Sequence, residues 1–381
     1  MKKKRQESFY IIVQPGLEAL CASELAKCLG DNAPPCQIEH GGIGFSGCLN
    51  ELYQASLWLR SASRILVRFG QFTCRDFPTL YRKAKNLPWG MYLRHAGVLQ
   101  VQASCRGSRL NHTGRIAETL SDACARALGQ EPTSRTGDNN VPPQTLFVRL
   151  HNDICTLSMD CSGDHLHRRG YRTQTTAAPL RENLAAACLL QYRWSGRQAF
   201  LDPFCGSGTF AIEAALIAGN RPAGAQRDFA FMNWPGYRQG LWQAIQLQAE
   251  QQQRAVKVPI FASDRDPRAL EAAKINARNA GVYDTISWQQ QSIENLSLPI
   301  ENGLWLCNPP YGERLESEIS TSQRLRQLQQ LHRQRLPSWQ AAALLPTCPH
   351  TACRALLKFS NGGLDVGLFP ISKETPRAPS S

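Results

Sequence analysis

Two short segments contain residues whose types and spacing could perform chemistry. The first is Leu201-Asp202-Pro203-Phe204-Cys205-Gly206-Ser207-Gly208-Thr209-Phe210, and the second, about a hundred residues later, is Asn308-Pro309-Pro310-Tyr311. Glycine has no β-carbon, so the glycines of the first segment let the backbone approach a ligand closely. Taken together and in this order, the two segments predict a methyltransferase that uses S-adenosylmethionine and acts on an amino nitrogen.

The acidic residues around the glycine loop argue against a nicotinamide cofactor. Asp202 precedes the glycines, where a carboxylate would repel a pyrophosphate but could bind the ammonium of a methionyl group. The first acid that follows a strand is Asp264, about sixty residues further on rather than about twenty. Asp264 is suited to hold ribose hydroxyls at the carboxyl edge of a sheet. The alternative role for Asp264, capping the next helix, suits Asp266 better because Pro267 follows it.

The Asn-Pro-Pro-Tyr segment is the more specific of the two. The side-chain carbonyl of Asn308 and the main-chain carbonyl of Pro309 can accept both hydrogens of an exocyclic amine, while proline fixes φ and removes competing donors. Tyr311 can stack on a flipped base. Orientation in a dry site would then supply most of the acceleration, without a separate general base. A plain turn at the end of a strand is the alternative interpretation.

The elements that position these residues indicate the fold class. From about residue 186 onward, strand and helix patterns alternate, which predicts an α/β, Rossmann-like domain with a parallel sheet. The first strand ends at the glycine loop, and Gly303 to Cys307 forms the strand that delivers Asn308. The first 160 or so residues mix short strands and helices and predict an α+β region.

Basic side chains in the α+β region are interleaved with aromatic and polar ones, and candidate RNA contacts there are Arg106, Arg109, Asn111 and His112. Such a surface suits RNA, where phosphate contacts position the ligand and stacking reads unpaired bases. A solvated charged face would give the same pattern, so both interpretations stay open.

A second basic group, Arg168, Arg169 and Arg172, lies around Gly170 just before the α/β region. We interpret this group as a basic collar at the mouth of the active site and expect it to contact RNA. A simple linker is the alternative.

Composition narrows the class of partner. The chain has 381 residues and a formal charge of +13, which points to a polyanion, although a merely basic enzyme would also fit. No apolar run approaches the roughly 18 to 20 residues of a membrane helix. The basic start is followed by an apolar run that ends too early for a secretion signal. We therefore expect a cytoplasmic protein with no membrane partner.

The cysteines do not suggest a metal site. Fourteen cysteines are scattered along the chain without a Cys-x-x-Cys pair. The nearest approach to a cluster is Cys348-Pro349-His350 with Cys353, which lacks a second spaced pair. We expect no metal and mostly reduced thiols.

Many segments, in order, resemble the THUMP-domain guanine-N2 methyltransferases of 23S ribosomal RNA, and in particular the N-terminal half of the bacterial enzyme RlmL. Besides the two motifs, the resemblance rests on these segments: Leu57-Trp58-Leu59-Arg60-Ser61-Ala62-Ser63-Arg64, Arg109-Leu110-Asn111-His112, Ser162 to Arg172, Ala178-Pro179-Leu180-Arg181-Glu182-Asn183-Leu184-Ala185 and Asp264-Arg265-Asp266-Pro267-Arg268.

The resemblance implies four segments and a function. They are a ferredoxin-like region (1–62), a THUMP RNA-binding domain (63–161), a linker with the basic collar (162–185) and a Rossmann-like methyltransferase domain (186–381). The implied reaction forms N2-methylguanine in RNA, with 23S rRNA or a pre-50S particle as partner. The cofactor would contact Asp202, Phe204, Cys205, Gly206, Gly208, Thr209, Asp264 and Ser292, and the catalytic residues would be Asn308, Pro309 and Tyr311.

Two departures from the family qualify this expectation. The sequence stops after one methyltransferase domain, so we expect no second, N7-methylating half. Where the family offers an acid to the adenine ring, this chain has Gln291-Ser292-Ile293-Glu294, so Ser292 or Glu294 must take that role.

Other functions remain open at this stage. A tRNA guanine-N2 methyltransferase is the close alternative. A DNA amino-methyltransferase and a protein-glutamine methyltransferase are more distant, since the basic α+β region favours RNA. A ribosome assembly factor that binds RNA without catalysis is the alternative from another class. The sequence does not indicate an oligomeric state.

Overall fold

The structure, a computed structural model, describes residues 6–94, 98–129, 142–175, 179–310, 320–347 and 353–372. The helices in these residues are α1 (Glu18–Leu29), α2 (Leu49–Trp58), α3 (Phe77–Lys85), α4 (Thr113–Ala127), α5 (Glu182–Gln191), α6 (Thr209–Ala218), α7 (Gln239–Gln251), α8 (Pro267–Asn279) and α9 (Thr321–Arg335). The strands are β1 (Glu7–Val13), β2 (Gln37–Glu39), β3 (Gly42–Gly47), β4 (Ala62–Thr73), β5 (Leu99–Arg106), β6 (Gln144–His151), β7 (Ile154–Asp160), β8 (Ala199–Asp202), β9 (Ile260–Asp264), β10 (Ser287–Gln290), β11 (Gly303–Cys307), β12 (Gln340–Pro346), β13 (Leu357–Asn361) and β14 (Leu364–Pro370).

The first seven strands form one mixed sheet in the order β2-β3-β1-β4-β7-β6-β5. Strand β4 is long and belongs to both parts of this region. Its first half pairs with β1, and residues from Leu66 to Thr73 pair with β7. The ferredoxin-like and THUMP-like parts therefore share a continuous hydrogen-bonded sheet.

The other seven strands form a second sheet in the order β10-β9-β8-β11-β12-β14-β13. Strands β10, β9, β8, β11 and β12 are parallel. Strand β14 runs antiparallel to β12, and the edge strand β13 pairs antiparallel with β14. The chain order reverses between β8 and β11, and ligands bind at such a switch point, beyond the carboxyl ends of the strands. The predicted α/β, Rossmann-like architecture is confirmed.

Local sequence explains why the central elements form. Strand β11 is buried along its whole length, as expected for a parallel strand covered on both faces. Helix α8 begins where the Asp266 side chain accepts a hydrogen bond from Arg268 N at 2.9 Å, with Pro267 in the first turn. Asp266 is thus the cap, as the sequence predicts.

The long segment between α6 and β9 packs against helix α2 of the first region. Phe231 stacks on Tyr53 with ring centroids 4.7 Å apart, and Trp242 meets Phe231 at 5.4 Å. Gly224 N donates to Leu57 O at 2.9 Å, and a β-carbon at Gly224 would lie 2.7 Å from Ser56 O. These contacts attach the second sheet's domain closely to the first.

A buried ionic cluster completes this attachment. Glu213, on α6, is fully buried and lies 3.7 Å from Arg60 Nη1 and 3.5 Å from Arg169 Nε. The Tyr171 hydroxyl donates to Glu213 Oε1 at 3.2 Å. Arg60 comes from the first region, whereas Arg169 and Tyr171 come from the connecting segment. One carboxylate therefore joins three parts of the chain.

No helix among the described residues is long and apolar enough to cross a membrane.

Replacing Glu213 with glutamine keeps the side-chain volume but leaves two buried arginines without their counter-charge. We expect Glu213→Gln to lower the free energy of unfolding by about 3 kcal/mol, measured by urea unfolding. The control is Glu250→Gln, at an exposed position on α7, where the change should stay within about 0.5 kcal/mol. Equal unfolding midpoints for the two variants would show that the cluster does not stabilise the fold.

Candidate active site

The glycine loop connects β8 to α6 at the carboxyl edge of the second sheet. Gly206 and Gly208 have φ of 51° and 86°, the left-handed region that favours glycine. A β-carbon at Gly208 would lie 3.0 Å from the Ala273 β-carbon of α8. The loop is fixed from the neighbouring strand because Cys205 N donates to Ser263 O at 3.0 Å and Gly206 N donates to Asp264 Oδ2 at 2.9 Å.

Asp202 ends β8 in a dry environment. It is 1% exposed, and its carboxylate accepts one long hydrogen bond, from Phe204 N at 3.4 Å. Burial raises the pKa of this carboxyl well above its ordinary value, and the nearby charge of Asp264 raises the pKa further, against the lowering by Phe204 N. A buried carboxylate with so few donors is suited to bind a cationic ligand group.

Asp264 has a structural function as well as its predicted ligand role. One oxygen accepts from Gly206 N, and the other accepts from Asp266 N at 3.0 Å. Its main-chain carbonyl accepts from Gln291 N at 3.2 Å. Asp264 therefore holds the glycine loop and the segment after β10 together, and a ribose would have to use its remaining lone pairs.

Strand β11 delivers Asn308 to the same edge. Trp305 is opposite Leu201 in the β8–β11 pair, so Asp202 and Asn308 leave adjacent parallel strands whose axes are about 4.8 Å apart. Asn308 Oδ1 is buried and has no hydrogen-bond partner among the described residues. Pro309 is buried beside it. Tyr311, the third predicted catalytic residue, lies outside the described residues.

The other predicted cofactor residues differ in how exposed they are. Phe204 is half-buried, Cys205 is 5% exposed, and Ser292 is half-buried at the start of a short 3-10 helix. The Thr209 hydroxyl accepts from Arg172 Nη2 at 2.8 Å. That hydroxyl is used inside the protein, so a ligand would meet the Thr209 backbone instead. Glu294, the alternative to Ser292, is exposed.

The predicted RNA contacts of the first region are grouped. Arg106, Arg109, Asn111 and His112 are exposed between the end of β5 and the start of α4. His112 also caps α4, because its Nδ1 accepts from Arg115 N at 3.0 Å. Their role in RNA binding stays a prediction.

The basic collar divides into exposed and interior residues. The Arg168 side chain is 65% exposed and pairs with Asp164 at 3.2 Å. Arg172 is mostly buried and lies 3.0 Å from Glu182. Arg169 is only 3% exposed and is held by Glu213 and by Leu166 O, at 2.6 Å. The guanidinium of Arg169 thus serves the buried cluster, and the predicted contact of Arg169 with RNA stays a prediction.

Sequence reasoning missed Glu213 and its partners. The signal was present, since Thr209 to Ala218 contains one charged residue in a helix that is otherwise apolar or small. Such a residue inside a buried helix requires a counter-charge. The elements that supply it, around Arg60 and Arg169, are far away in sequence.

No group of three His, Cys, Asp or Glu residues in the described part of the chain could hold a metal ion. Of the Cys348-Pro349-His350 segment, nothing falls within the described residues.

The strand order, the glycine loop and the Asn-Pro-Pro turn define a Rossmann-like methyltransferase domain. Three family models match the chain: the RlmL ferredoxin-like domain over residues 8–66, the THUMP domain over 74–160, and the RMKL-like methyltransferase domain over 169–349. The Synechocystis protein slr0064, provisionally named an RNA methyltransferase, is 32% identical over 336 residues, which are 87% of each chain. The protein therefore belongs to the RlmL-like family of THUMP-domain methyltransferases, as the sequence predicts.

Two further relatives define the extent of the similarity. The ribosomal RNA large subunit methyltransferase K/L of Syntrophotalea carbinolica is 35% identical over 402 residues, which cover 98% of this chain. The chain spans 56% of the length of that relative. The crystal structure of SMU.472, provisionally described as a methyltransferase and complexed with SAH, superimposes with a TM-score of 0.85 at 29% identity, covering 98% of this chain and 100% of SMU.472.

Replacing Asp202 with asparagine should separate ligand binding from stability. The pKa of Asp202 is higher in the folded than in the unfolded protein, so its protonated carboxyl contributes to stability. This contribution is complete below about pH 4 and is lost as the pH rises through the folded pKa. We expect Asp202→Asn to remove this loss, so urea midpoints of the ligand-free protein become less dependent on pH. Affinity for S-adenosylmethionine, measured by calorimetry, should fall about 10- to 100-fold. Unchanged affinity would contradict the assigned ligand contact.

Proposed function

We propose that this protein transfers a methyl group from S-adenosylmethionine to the exocyclic N2 of a guanine in RNA, with 23S rRNA or a pre-50S particle as the substrate. The observation that supports this most is the buried Asn308 Oδ1, which has no partner among the described residues and lies on the strand next to Asp202. A buried acceptor without a donor costs free energy, so it is suited to a donor that arrives with the substrate.

The residues present fit the cofactor. Asp202 is a dry carboxylate for the methionyl ammonium, and Gly206 and Gly208 allow the tight left-handed turn between β8 and α6. We assign the ribose to Asp264 and the adenine to Ser292 or Glu294. S-adenosylmethionine supplies a methyl group already activated by a sulfonium. The SAH bound by SMU.472 supports this choice of cofactor.

The chain's own contribution is then orientation. Asn308 Oδ1 and the Pro309 carbonyl accept the two amine hydrogens and fix the direction of the nitrogen lone pair. Burial of the Asn308 Oδ1 atom and of Pro309 limits the access of water to the reacting nitrogen. We include Tyr311 as the stacking partner of the base, on sequence grounds alone. Asp202 binds and orients, and takes no proton in the reaction.

Charge and relatives favour RNA as the substrate. The formal charge of +13 suits a polyanion. The THUMP match covers the exposed group at Arg106, Arg109, Asn111 and His112, which we propose contacts RNA together with Arg168 and Arg172. The K/L relative is named for large-subunit ribosomal RNA, and this favours 23S rRNA over tRNA, DNA or protein. A cytoplasmic location follows from such a substrate.

Asn308→Ala should abolish methylation while leaving RNA binding unchanged, because it removes an acceptor for the amine and no RNA-anchoring charge. We expect kcat to fall by at least about 100-fold. The control is Asn302→Ala, at an exposed position beside the opposite end of β11. Persistent activity in Asn308→Ala would exclude the assigned role, and equal losses in both variants would indicate a general disturbance of β11.

The nucleic acid substrate can be identified directly. The protein is incubated with radiolabelled S-adenosylmethionine and separated rRNA and tRNA from a strain that lacks its gene, and the labelled nucleoside is mapped. We expect the label in N2-methylguanine of 23S rRNA. Label in tRNA alone would select the tRNA alternative, and label in an adenine or a cytosine would overturn the proposed reaction.

A further inference from the structure

A cavity of about 750 Å³ lies where the first region, the connecting segment and the methyltransferase domain meet. One wall is formed by residues 142–144, at the start of β6, and another by residues 227–233. The connecting segment supplies His167 and several arginines, and the start of α5 completes the lining. Its volume falls within the range of about 300 to 1,000 Å³ typical of ligand sites.

The lining contains more positive than negative charge. Five arginines line it, at positions 168, 169, 172, 181 and 227, against the carboxylates of Asp164, Glu182 and Asp228. Two of these carboxylates are paired, Asp164 with Arg168 and Glu182 with Arg172. Arg181 and Arg227 form no ion pair with any described residue. The cavity is therefore short of negative charge.

Hydrogen bonds to the main chain fix the position of the Arg227 guanidinium, which carries part of the excess positive charge. This guanidinium donates to four main-chain carbonyls of the connecting segment, including His165 O at 2.7 Å and Asp164 O at 2.7 Å. It forms no ion pair with a described residue. Burial lowers its pKa to about 10, with Arg169 adding to the effect and the charges of Asp164 and Asp160 opposing it. Carbonyl dipoles hold the position of this cation without neutralising it.

Three arginines of the lining have a buried Nε without a hydrogen-bond partner among the described residues, although that of Arg172 lies 3.0 Å from Glu182. The buried Nε of Arg169 and that of Arg227 donate no hydrogen bond within the described part of the chain. Arg169 is 3% exposed, so solvent offers little compensation, although Glu213 Oε1 lies 3.5 Å from its Nε. Buried donors of this kind normally have an acceptor. These atoms are out of reach of solvent, so they mark positive charge that is incompletely compensated beside the cavity and are not themselves ligand contacts.

The positive charge of the lining also affects the pKa of its histidine. The pKa of His167 is lowered to about 3, first by burial, then by His165 and the arginines at 181, 169 and 168. His167 is therefore neutral at physiological pH and adds no charge to the cavity.

The cavity is also close to the candidate active site. Arg172 lines it and donates through Nη2 to the Thr209 hydroxyl at 2.8 Å. Thr209 is the first residue of α6, directly after the glycine loop. Gln144, on the opposite wall, begins strand β6 of the THUMP-like sheet. An RNA strand that reaches both the first sheet and the glycine loop would therefore pass this cavity.

We propose that this cavity binds a backbone phosphate of the RNA substrate next to the target nucleotide, with Arg181 and Arg227 supplying the charge and Arg172 linking the site to the glycine loop. The inference rests on the proposed function, from which RNA is taken as the substrate. A phosphodiester supplies the negative charge that the lining lacks. Arg181 is the residue to test, because its side chain is exposed and forms no ion pair with the described residues.

The experiment compares Arg181→Ala with Arg197→Ala. Arg197 is also exposed and free of ion pairs with described residues, but it lies just before β8, at the opposite edge of the sheet. Binding of unmodified large-subunit rRNA is measured without methyl donor from roughly 50 to 200 mM KCl. We expect the slope of log Kobs against log salt to decrease in magnitude by about 0.7 to 0.9 in Arg181→Ala. Arg181→Lys and Arg197→Ala should keep the original slope.

Equal slopes in Arg181→Ala and the unchanged protein, or equal decreases in Arg181→Ala and Arg197→Ala, would overturn the proposal. Calorimetry with inorganic phosphate distinguishes a free-anion site: phosphate binding lost in Arg181→Ala, with an unchanged RNA slope, would also overturn it. Melting temperatures identify any loss of folding. The binding assay contains no methyl donor and is therefore independent of catalysis. If Arg181→Ala methylates normally in a separate assay and keeps the original slope, only this inference is rejected. Activity in Asn308→Ala would reject the proposed catalytic site.

Discussion

The meeting of Glu213 with Arg60 and Arg169 fixes how the two halves of the molecule join. Two like charges can share a dry interior only when a carboxylate lies between them, because an uncompensated buried charge costs several kcal/mol. Glu213 is on α6, and α6 begins at the glycine loop. The distance from the first sheet to the candidate active site is therefore set by an interaction that tolerates little displacement.

The second constraint is the direction of the parallel strands. Since β8, β9 and β11 point the same way, Asp202, Asp264 and Asn308 all emerge at one edge. This edge combines a dry carboxylate, a glycine-containing loop and an amide oxygen without a partner among the described residues. None of these groups is favourable alone in an interior, and together they are complementary to a ligand with an ammonium group and a substrate with an amine.

Sequence patterns could predict the parts that depend on local order. The apolar run from Gly303 to Cys307 predicts a buried strand, and its end places Asn308 without further information. Strand β10 could not be found in this way, because Ser287–Gln290 is half-exposed and polar and is a strand through its pairing with β9. The interior position of Arg169 could not be predicted either, since it depends on Glu213, which is distant in sequence. Tyr311 remains a prediction from the motif.

Strand β4 has a further consequence for how the protein can change over evolutionary time. The ferredoxin-like model ends at residue 66 and the THUMP model begins at 74, so the seam between two nominal modules falls inside one strand. Separating the two modules there would take β1 and β7 away from parts of β4, and the exposed strand edges would invite association with other chains. These two modules are therefore not freely interchangeable parts, and relatives that exchange one of them must inherit the matching half of β4.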